Sequence, residues 1–410
     1  MSMRDAFILD GCRSPIGALR GSLSGVRADD LAAFAMRGVL ERSGLDGKNI
    51  DEVIFGCANQ AGEDNRNVAR MASLLAGIPF TVPGETVNRL CASGMSAVIH
   101  AARMVSVGDA NLVLAGGVEH MTRAPWVMSK SASAFGSDVQ MYDSSFGWRF
   151  INPLMKQQFG VDSMGETAEN LAKMFRISRE DQDQYACRSQ QKAADAFNRG
   201  RFGLEIQSIE VPEGKRGVRT IDSDEFLKPQ TTLEKLSELK PAFHKEGTVT
   251  AGNSSGLNDG AAAVLVASED FFSTHQIAPL CRIVSSATSG VEPRIMGIGP
   301  VDASRKALQK AALSLDQMDV IEMNEAFAVQ VLACTRALGL EDSDDRLNPN
   351  GGAIALGHPL GMSGTRILYT AALELALTGK RYALVTMCVG VGQGFAVIIE
   401  NSFSSKYQHE

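Results

Sequence analysis

The sequence predicts an α/β protein made of two related halves with a long insertion between them. Three observations carry this. CASGMSA (Cys91–Ala97) and HPLGMSG (His358–Gly364) share Gly-Met-Ser at the same offset from their first residue. DEVIFGC (Asp51–Cys57) and MDVIEMN (Met318–Asn324) share Val-Ile, and the same spacing separates the two copies. Apolar β-rich runs also alternate with helical patterns in both copies, which predicts parallel-type sheets with helices on their faces.

In the first copy, AFILDGC (Ala6–Cys12) predicts a strand and Asp29 to Arg42 a helix. DEVIFGC is the next strand, and Asn65 to Ala76 the next helix. GETVN leads into Cys91, and Ala92 to Val107 has apolar residues at helical spacing. ANLVLAGG is a near-continuous apolar run, the pattern of a strand covered on both faces. The second copy repeats this order. Ser304 to Leu315 and Ala326 to Leu338 predict helices around DVIEMN. Met362 to Thr378 predicts a third helix, followed by strands YALVTMCV and GFAVIIE.

Between the copies, from about Met121 to Gly256, polar and aromatic residues mix without strand alternation. One long helix is predicted from Ser178 to Arg199, with Ser178 as its cap and acidic residues in its first turn. KRGVRT and SELKPAFHKEG read as loops. An insertion of this size predicts a subdomain that covers substrate.

Composition narrows the class. The length allows two or three domains with ample core. A net charge of −7 gives no global basic field for nucleic acid or anionic membrane. No continuous apolar run predicts a membrane span. The N-terminus enters a strand pattern at once, which leaves no room for a signal peptide. SSKYQHE at the C-terminus carries no ER or peroxisomal address. Seven cysteines, widely spread and without a C-x-x-C pair, argue against disulfides or structural zinc and for a reducing cytoplasm.

The duplication places a thiol, Cys91, and an imidazole, His358, at equivalent spots. A pseudo-two-fold then brings them into one cleft, as an activated cysteine nucleophile needs. Cys91 follows a strand and precedes a helix, whose positive end favours thiolate over thiol. The bland alternative is a small buried hydrophobe. Its Ala, Ser and Gly neighbours leave the thiol approachable.

His358 lies in the glycine-rich NPNGGAIALGHPLGMSG, where the backbone can come close to a ligand. Cys388 ends a strand, where open α/β sheets place ligands, and a second thiol there suits acid–base work at carbon. In isolation it reads as core. Asn324 either satisfies a turn or donates to an oxyanion. In TVTAGNSSGLNDGAAAV, Ser255 either meets an amide-bearing ligand or caps a following helix. His100 and His120 read as structural, and His244, His275 and His409 as surface residues. Gly390-Val-Gly392-Gln-Gly394 has the wrong spacing for a dinucleotide site.

Together NRLCASGMSA, MNEAF, NPNGGAIALGHPLGMSG, CVGVGQG and TVTAGNSSGLNDGAAA resemble the thiolases, over essentially the whole chain. The resemblance implies the thiolase fold, two α/β halves in a five-layer αβαβα sandwich with an inserted loop domain. It implies a first half of residues 1–120 with 257–278, a CoA-covering loop domain 121–256 and a second half 279–410. FGCANQAGEDNRNVARMA and GWRFINPLMKQQFGVDSM are similar to the degradative branch that acts on 3-oxoadipyl-CoA. Ser163 stands where the biosynthetic branch has histidine. Gly165 departs from the oxoadipyl branch, which usually has proline there.

What the resemblance implies for residues matches the chemistry above. Cys91 resembles the acylated nucleophile and His358 its base. Cys388 resembles the group that protonates the departing acetyl-CoA carbanion. Asn324 resembles the residue holding a water in one oxyanion hole, and the amides of Cys91 and Gly390 the second hole. Met164, Phe243, Ala251, Ser255 and Phe327 match pantetheine-pocket positions, and Lys228 lies where a basic residue meets the adenine nucleotide. Arg149, in GWRFINP, is the candidate reader of a substrate carboxylate; the bland alternative is a brace for the loop domain. CoA is then a co-substrate, with no bound cofactor and no metal. A homodimer or homotetramer is implied, with a contact near Thr122 to Phe135. The rivals are a general fatty-acid or acetoacetyl-CoA thiolase, a ketosynthase-type condensing enzyme, a non-catalytic CoA or lipid carrier and a Cys-His hydrolase. Cys388 disfavours the ketosynthase, the presence of all three of Cys91, His358 and Cys388 disfavours the carrier, and the duplication of the two half-motifs disfavours the hydrolase.

Overall fold

A computed structural model describes residues 3–214 and 217–401. The first copy runs β1 (Ala6–Arg13), β2 (Gly17–Ala18), α1 (Ala28–Ser43), β3 (Glu52–Gly56), α2 (Val68–Leu75), β4 (Gly84–Val87), α3 (Ser93–Val107) and β5 (Leu112–His120). Every residue of β1 and β5 is buried, as their unbroken apolar runs require. Helix α1 opens with Asp29 and Asp30 in its first turn and stops at Gly44, whose φ of 68° ends the helix in the left-handed region.

The insertion holds a hairpin of β6 (Trp126–Met128) and β7 (Met141–Asp143), then α4 (Pro153–Phe159), α5 (Met164–Phe175) and α6 (Arg179–Asn198). A second hairpin, β8 (Ile209–Pro212) with β9 (Val218–Ile221), precedes α7 (Leu233–Ser237). Ser178 caps α6 in a capping box with Asp181, as predicted. The absence of strand alternation was not correct. In β8, Ile209 and Val211 are buried and alternate with exposed neighbours. Part of KRGVRT is strand β9, while Lys215 and Arg216 lie outside the described residues, as does the SSKYQHE tail. Helix α5 was not anticipated; Ser163 caps it in a capping box with Glu166.

The chain continues through β10 (Asn258–Ser268), α8 (Glu269–His275), β11 (Cys281–Gly290), α9 (Gly299–Ala311), β12 (Val320–Met323), α10 (Ala328–Leu338), α11 (Ala353–Leu356), α12 (Leu360–Thr378), β13 (Tyr382–Val389) and β14 (Gln393–Glu400). Helix α9 begins five residues earlier than Ser304, with a proline in its first turn. The segment after Ser255 is no helix. NDGAAAVLVAS is alanine-rich, but all of it is buried as a central strand, so tertiary packing overrides alanine's helix preference.

One sheet runs in the order β12-β13-β14-β11-β1-β10-β5-β3-β4, with β2 on β10. Apart from β4 at the edge of the first half, the two halves have the same internal order, and they meet through Phe7↔Arg282 and Ile8↔Cys281. Among the strands named above, parallel pairing joins β3 to β4 and β5, and β12 to β13. The expected parallel sheets are therefore mixed ones, because β10 and β14 return antiparallel beside β5 and β13.

Helices α3 and α12 form the middle layer, in one core with residues of both half-sheets. Outer helices cover the far faces: α1, α2 and α8 on one side, α9 and α10 on the other. That stacking is the five-layer arrangement. The stretch Leu90–Val107 averages a hydropathy of 1.3, enough to resemble a membrane span by composition, yet 67% of it is buried in this layer.

Gly94 and Gly361, the repeated glycines, let the middle helices touch. A Cβ on Gly94 would lie 2.4 Å from the Gly361 carbonyl oxygen. The Val-Ile match is less faithful. Ile54 faces the middle layer, whereas Ile321 faces the outer one. The helical repeat is thus structural, while the strand repeat is one residue out of register for side-chain direction.

Candidate active site

Four segments converge where α3 and α12 begin. Strand β4 delivers Asn88 to Cys91 as a tight turn into α3. Leu90 sits at φ 46°, a left-handed conformation rare for leucine. Three bonds hold it. The Leu90 amide donates to Asn88 Oδ1 at 2.8 Å, the Arg89 amide to Ser93 Oγ at 2.9 Å, and Ser93 Oγ–H to the Leu90 carbonyl at 2.6 Å. The strain pins Cys91 at the helix start, 8% exposed.

The turn from β13 to β14 supplies the facing wall. Val391 has φ 61°, an outlier for a β-branched residue, and aims the Gly390 amide at Cys91. A Cβ on Gly390 would lie 2.9 Å from Leu90 Cδ1, so the approach is close. The amides of Gly390 and Cys91 are near enough to the Cys91 sulfur to favour its thiolate. Cys388, fully buried at the end of β13, lies within the electrostatic reach of Cys91.

The expectation of a favoured thiolate is not met. Burial pushes the Cys91 thiol up to about 11, against the lowering effect of the two amides. Burial also holds Cys388 well above its usual range, with the neighbouring Cys91 adding to the effect. Desolvation outweighs the helix end. Both sulfurs rest as thiols, so Cys91 needs a base during attack.

His358 lies just ahead of α12, whose start packs against that of α3. Its backbone amide donates to Asn258 Oδ1 at 2.9 Å. Ser363 Oγ–H donates to the Pro359 carbonyl, so the same oxygen accepts from His358 Nδ1–H at 2.6 Å. That fixes the tautomer with the lone pair on Nε2. Asn324 Nδ2 lies 3.4 Å from Nε2, while its Oδ1 finds no hydrogen-bond partner among the described residues. Burial, then the Arg366 charge, depress His358 to about 3.

This depression has a sign for stability. Between the unfolded value of about 6.5 and the folded one, the unfolded chain binds more protons. Stability therefore falls as pH drops below about 6.5. At pH 5 this one group costs about 2 kcal/mol relative to pH 7. His358→Asn should show that much less loss in urea unfolding between the two pH values. An unchanged difference would mean that His358 is not held neutral.

Several supporting residues were not read from the sequence. Glu325 accepts from Tyr185 Oη–H, Ser189 Oγ–H, Asn348 Nδ2 and the Ile354 amide, which anchors the loop carrying Asn324. Glu119 accepts the amides of Ala58, Asn59 and Gly361, and burial raises it to about 7. Ser363 had a signal: it is the serine of the repeated Gly-Met-Ser. Cys57, Asp64 and Glu119 lie close enough to suggest a metal. Their donors are committed: Glu119 to three amides, Cys57 Sγ–H to the Asn59 carbonyl at 2.9 Å, and Asp64 Oδ1 to the Gly62 amide.

A cavity of about 520 Å³ opens in the insertion, lined by Lys228, Lys235, Phe226 and Ala251 among others. Lys228 Nζ lies over the Phe226 ring at 4.9 Å. Met164, Phe243, Phe327 and Ser255 gather at the neighbouring edge. Phe243 and Phe327 meet edge to face at 6.4 Å, and Ser255 Oγ–H donates to the Ala326 carbonyl. Ser255 therefore caps no helix. Gly165 packs under Phe243, where a Cβ would lie 2.1 Å from the ring. Arg149 is half-buried, with Nη1 on the Ser144 carbonyl at 3.3 Å and Nη2 on Asn59 Oδ1 at 3.2 Å.

Residues 6–270 match the family model of the thiolase N-terminal domain, and residues 277–401 that of the thiolase C-terminal domain. The chain belongs to the thiolase family. It is thus an acyltransferase that cleaves a 3-ketoacyl-CoA with CoA. It is 58% identical to a beta-ketoadipyl-CoA thiolase of Escherichia coli, over 97% of this chain and 100% of that protein. A beta-ketoadipyl-CoA thiolase of Acinetobacter baylyi is 55% identical over 97% of this chain and 100% of its own length. The crystal structure of human mitochondrial 3-ketoacyl-CoA thiolase in complex with CoA matches at a TM-score of 0.90 and 44% identity. That match covers 97% of this chain and 98% of the other. The fold expected of a thiolase, duplicated halves with a shared middle layer, is the one described above.

Proposed function

We propose that this thiolase cleaves 3-oxoadipyl-CoA to acetyl-CoA and a shortened acyl-CoA, reversibly. Cys91 attacks the ketone carbonyl while its proton moves to His358 Nε2. The amides of Cys91 and Gly390 receive one developing oxyanion, and Asn324, through a water, the other. Cys388 protonates the departing carbanion, and CoA then releases the acyl group from Cys91. The cavity with Lys228 and Lys235 seats the CoA nucleotide, and Met164, Phe243, Phe327, Ala251 and Ser255 line the pantetheine path. We further assign residues 1–120 with 257–278 and 279–410 to the two halves and 121–256 to the CoA-covering domain. A cytoplasmic homodimer or homotetramer fits this reading. Trp126, Met128 and Met141 on the β6–β7 hairpin are 67%, 67% and 63% exposed, which suits a subunit contact.

The observation that carries the substrate is Arg149. It is a half-buried guanidinium whose hydrogen bonds go to neutral oxygens, with no carboxylate partner among the described residues. Asn59, its partner, also donates its amide to Glu119, which holds the Gly361 amide beside His358. A dicarboxylic acyl chain would supply the missing anion. Gly165, where the oxoadipyl branch has proline, keeps Phe243 close and leaves this assignment resting on Arg149. Arg149→Ala should lower kcat/KM for 3-oxoadipyl-CoA by a factor equivalent to about 2–5 kcal/mol. Acetoacetyl-CoA and a medium-chain 3-ketoacyl-CoA should change little. Equal losses on all three would make Arg149 a brace and favour a general 3-ketoacyl-CoA thiolase.

A further inference from the structure

Arg366 and Glu322 are both 1% exposed, yet they do not form a close salt bridge. Arg366 Nη1 lies 3.9 Å from Glu322 Oε2. All three guanidinium nitrogens, and Glu322 Oε1, have no hydrogen-bond partner among the described residues. Burial raises the Glu322 carboxyl to about 8, so near pH 7 it is largely protonated and leaves the Arg366 charge without a close counter-ion. A buried charge left in this way is costly, and apolar replacements are often no less stable.

The first half shows that the fold does not need them. The helix position matching Arg366 is Ile99, and the side chain that β3 turns to the middle layer is Ile54, both in the central core. The charges occur only in the half that carries the histidine. Their positions are also specific. Arg366 follows Ser363 by one helical turn, and Ser363 holds His358 Nδ1. Glu322 precedes Asn324 on the same face of β12 and its extension, and Asn324 meets His358 Nε2. Each member is one step from one ring nitrogen.

Other charged or titratable groups around His358 are neutral or engaged. Cys91 and Cys388 are thiols. Glu325 is taken by four donors, Glu119 by three amides, and Asp259 by Thr122 and His120. Behind Arg366, Arg13 is paired with Glu205 and Asp224, and Arg201 with Glu205 and Glu374. Arg366, one turn beyond Ser363 on α12, is the cation whose charge acts on the imidazole and is not closely neutralised.

We propose that the Arg366–Glu322 pair is a positioning device that weakens His358 as a proton acceptor, so that the proton taken from Cys91 is readily given back. This rests on the roles assigned above to Cys91 and His358. The proton leaves Cys91 Sγ as the sulfur–carbon bond forms and must leave Nε2 before the turnover closes. Arg366 disfavours the imidazolium throughout. It restrains the resting thiolate–imidazolium pair and speeds proton return.

The test is Glu322→Ile/Arg366→Ile, which copies the apolar arrangement of the first half and should fold. Two rates are read at pH 7: iodoacetamide alkylation of Cys91, located by peptide mapping, and kcat for acetoacetyl-CoA thiolysis. Without Arg366, alkylation should rise about tenfold, as for a shift of one pKa unit, while kcat falls by a similar factor. Arg366→Lys, which keeps the charge, should recover most of both. Both rates falling together, or neither moving, in a variant with a native melting transition overturns the proposal. If the unmodified enzyme itself is neither alkylated nor acylated at Cys91, the assigned site has failed instead.

Discussion

Replacing Cys91 by alanine is expected to lower CoA-dependent 3-ketoacyl-CoA cleavage by about 10⁴–10⁶-fold, the scale at which a covalent nucleophile is lost. The structure makes the thiol hard to substitute. It sits behind a left-handed leucine at the start of α3, with two amides aimed at its sulfur. Its proton affinity is raised to about 11, so at pH 7 it is a thiol. On the proposed mechanism attack then draws on His358, whose lone pair is fixed on Nε2 by Ser363. Cys91→Ser should be nearly as damaged, because a hydroxyl is a weaker acid and nucleophile than a thiol. Incubation with acetyl-CoA followed by peptide mass mapping should find acetyl on Cys91. Acetylation elsewhere, with Cys91→Ala still active, would sink the assignment.

Much of this site was legible because the duplicated helices leave a mark that spacing alone can find. Gly94 and Gly361 recur because the two helices touch through their backbones, and that contact sets the start of α3, where Cys91 lies, against the start of α12, which His358 precedes. The strand match was less informative, since Ile54 and Ile321 point into different layers. β10 was missed for a physical reason. Its alanines favour a helix locally, and only the space between α1, α3 and α12 demands a strand of small residues there. The state of the sulfurs was also hidden. A helix start predicts thiolate, but burial is a property of the whole fold and it wins. Likewise Glu325 and Glu119 gain their roles from partners up to 242 positions away in sequence.

Cys388→Ser should separate the two halves of the reaction. Cys388 is fully buried near Cys91 and holds its proton well above the ordinary thiol range. On the proposed mechanism this thiol keeps its proton until a carbanion is there to take it. Carbon–carbon cleavage leaves a carbanion that must be protonated beside the acyl-enzyme, and general acid–base catalysis of this kind contributes about 10²–10⁴-fold. A serine hydroxyl in its place is too weak an acid to supply that proton, and its alkoxide is too strong a base to persist at neutral pH. Formation of acetyl-Cys91 from acetyl-CoA needs no carbanion; it uses only Cys91, His358 and the two amides. Rapid-quench measurement should therefore find acylation of Cys388→Ser within a few-fold of the unmodified enzyme, while overall thiolysis falls by about 10²–10⁴-fold. If acylation disappears while the melting transition is native, Cys388 acts on the sulfur chemistry of Cys91, and the division of labour between the two thiols is different.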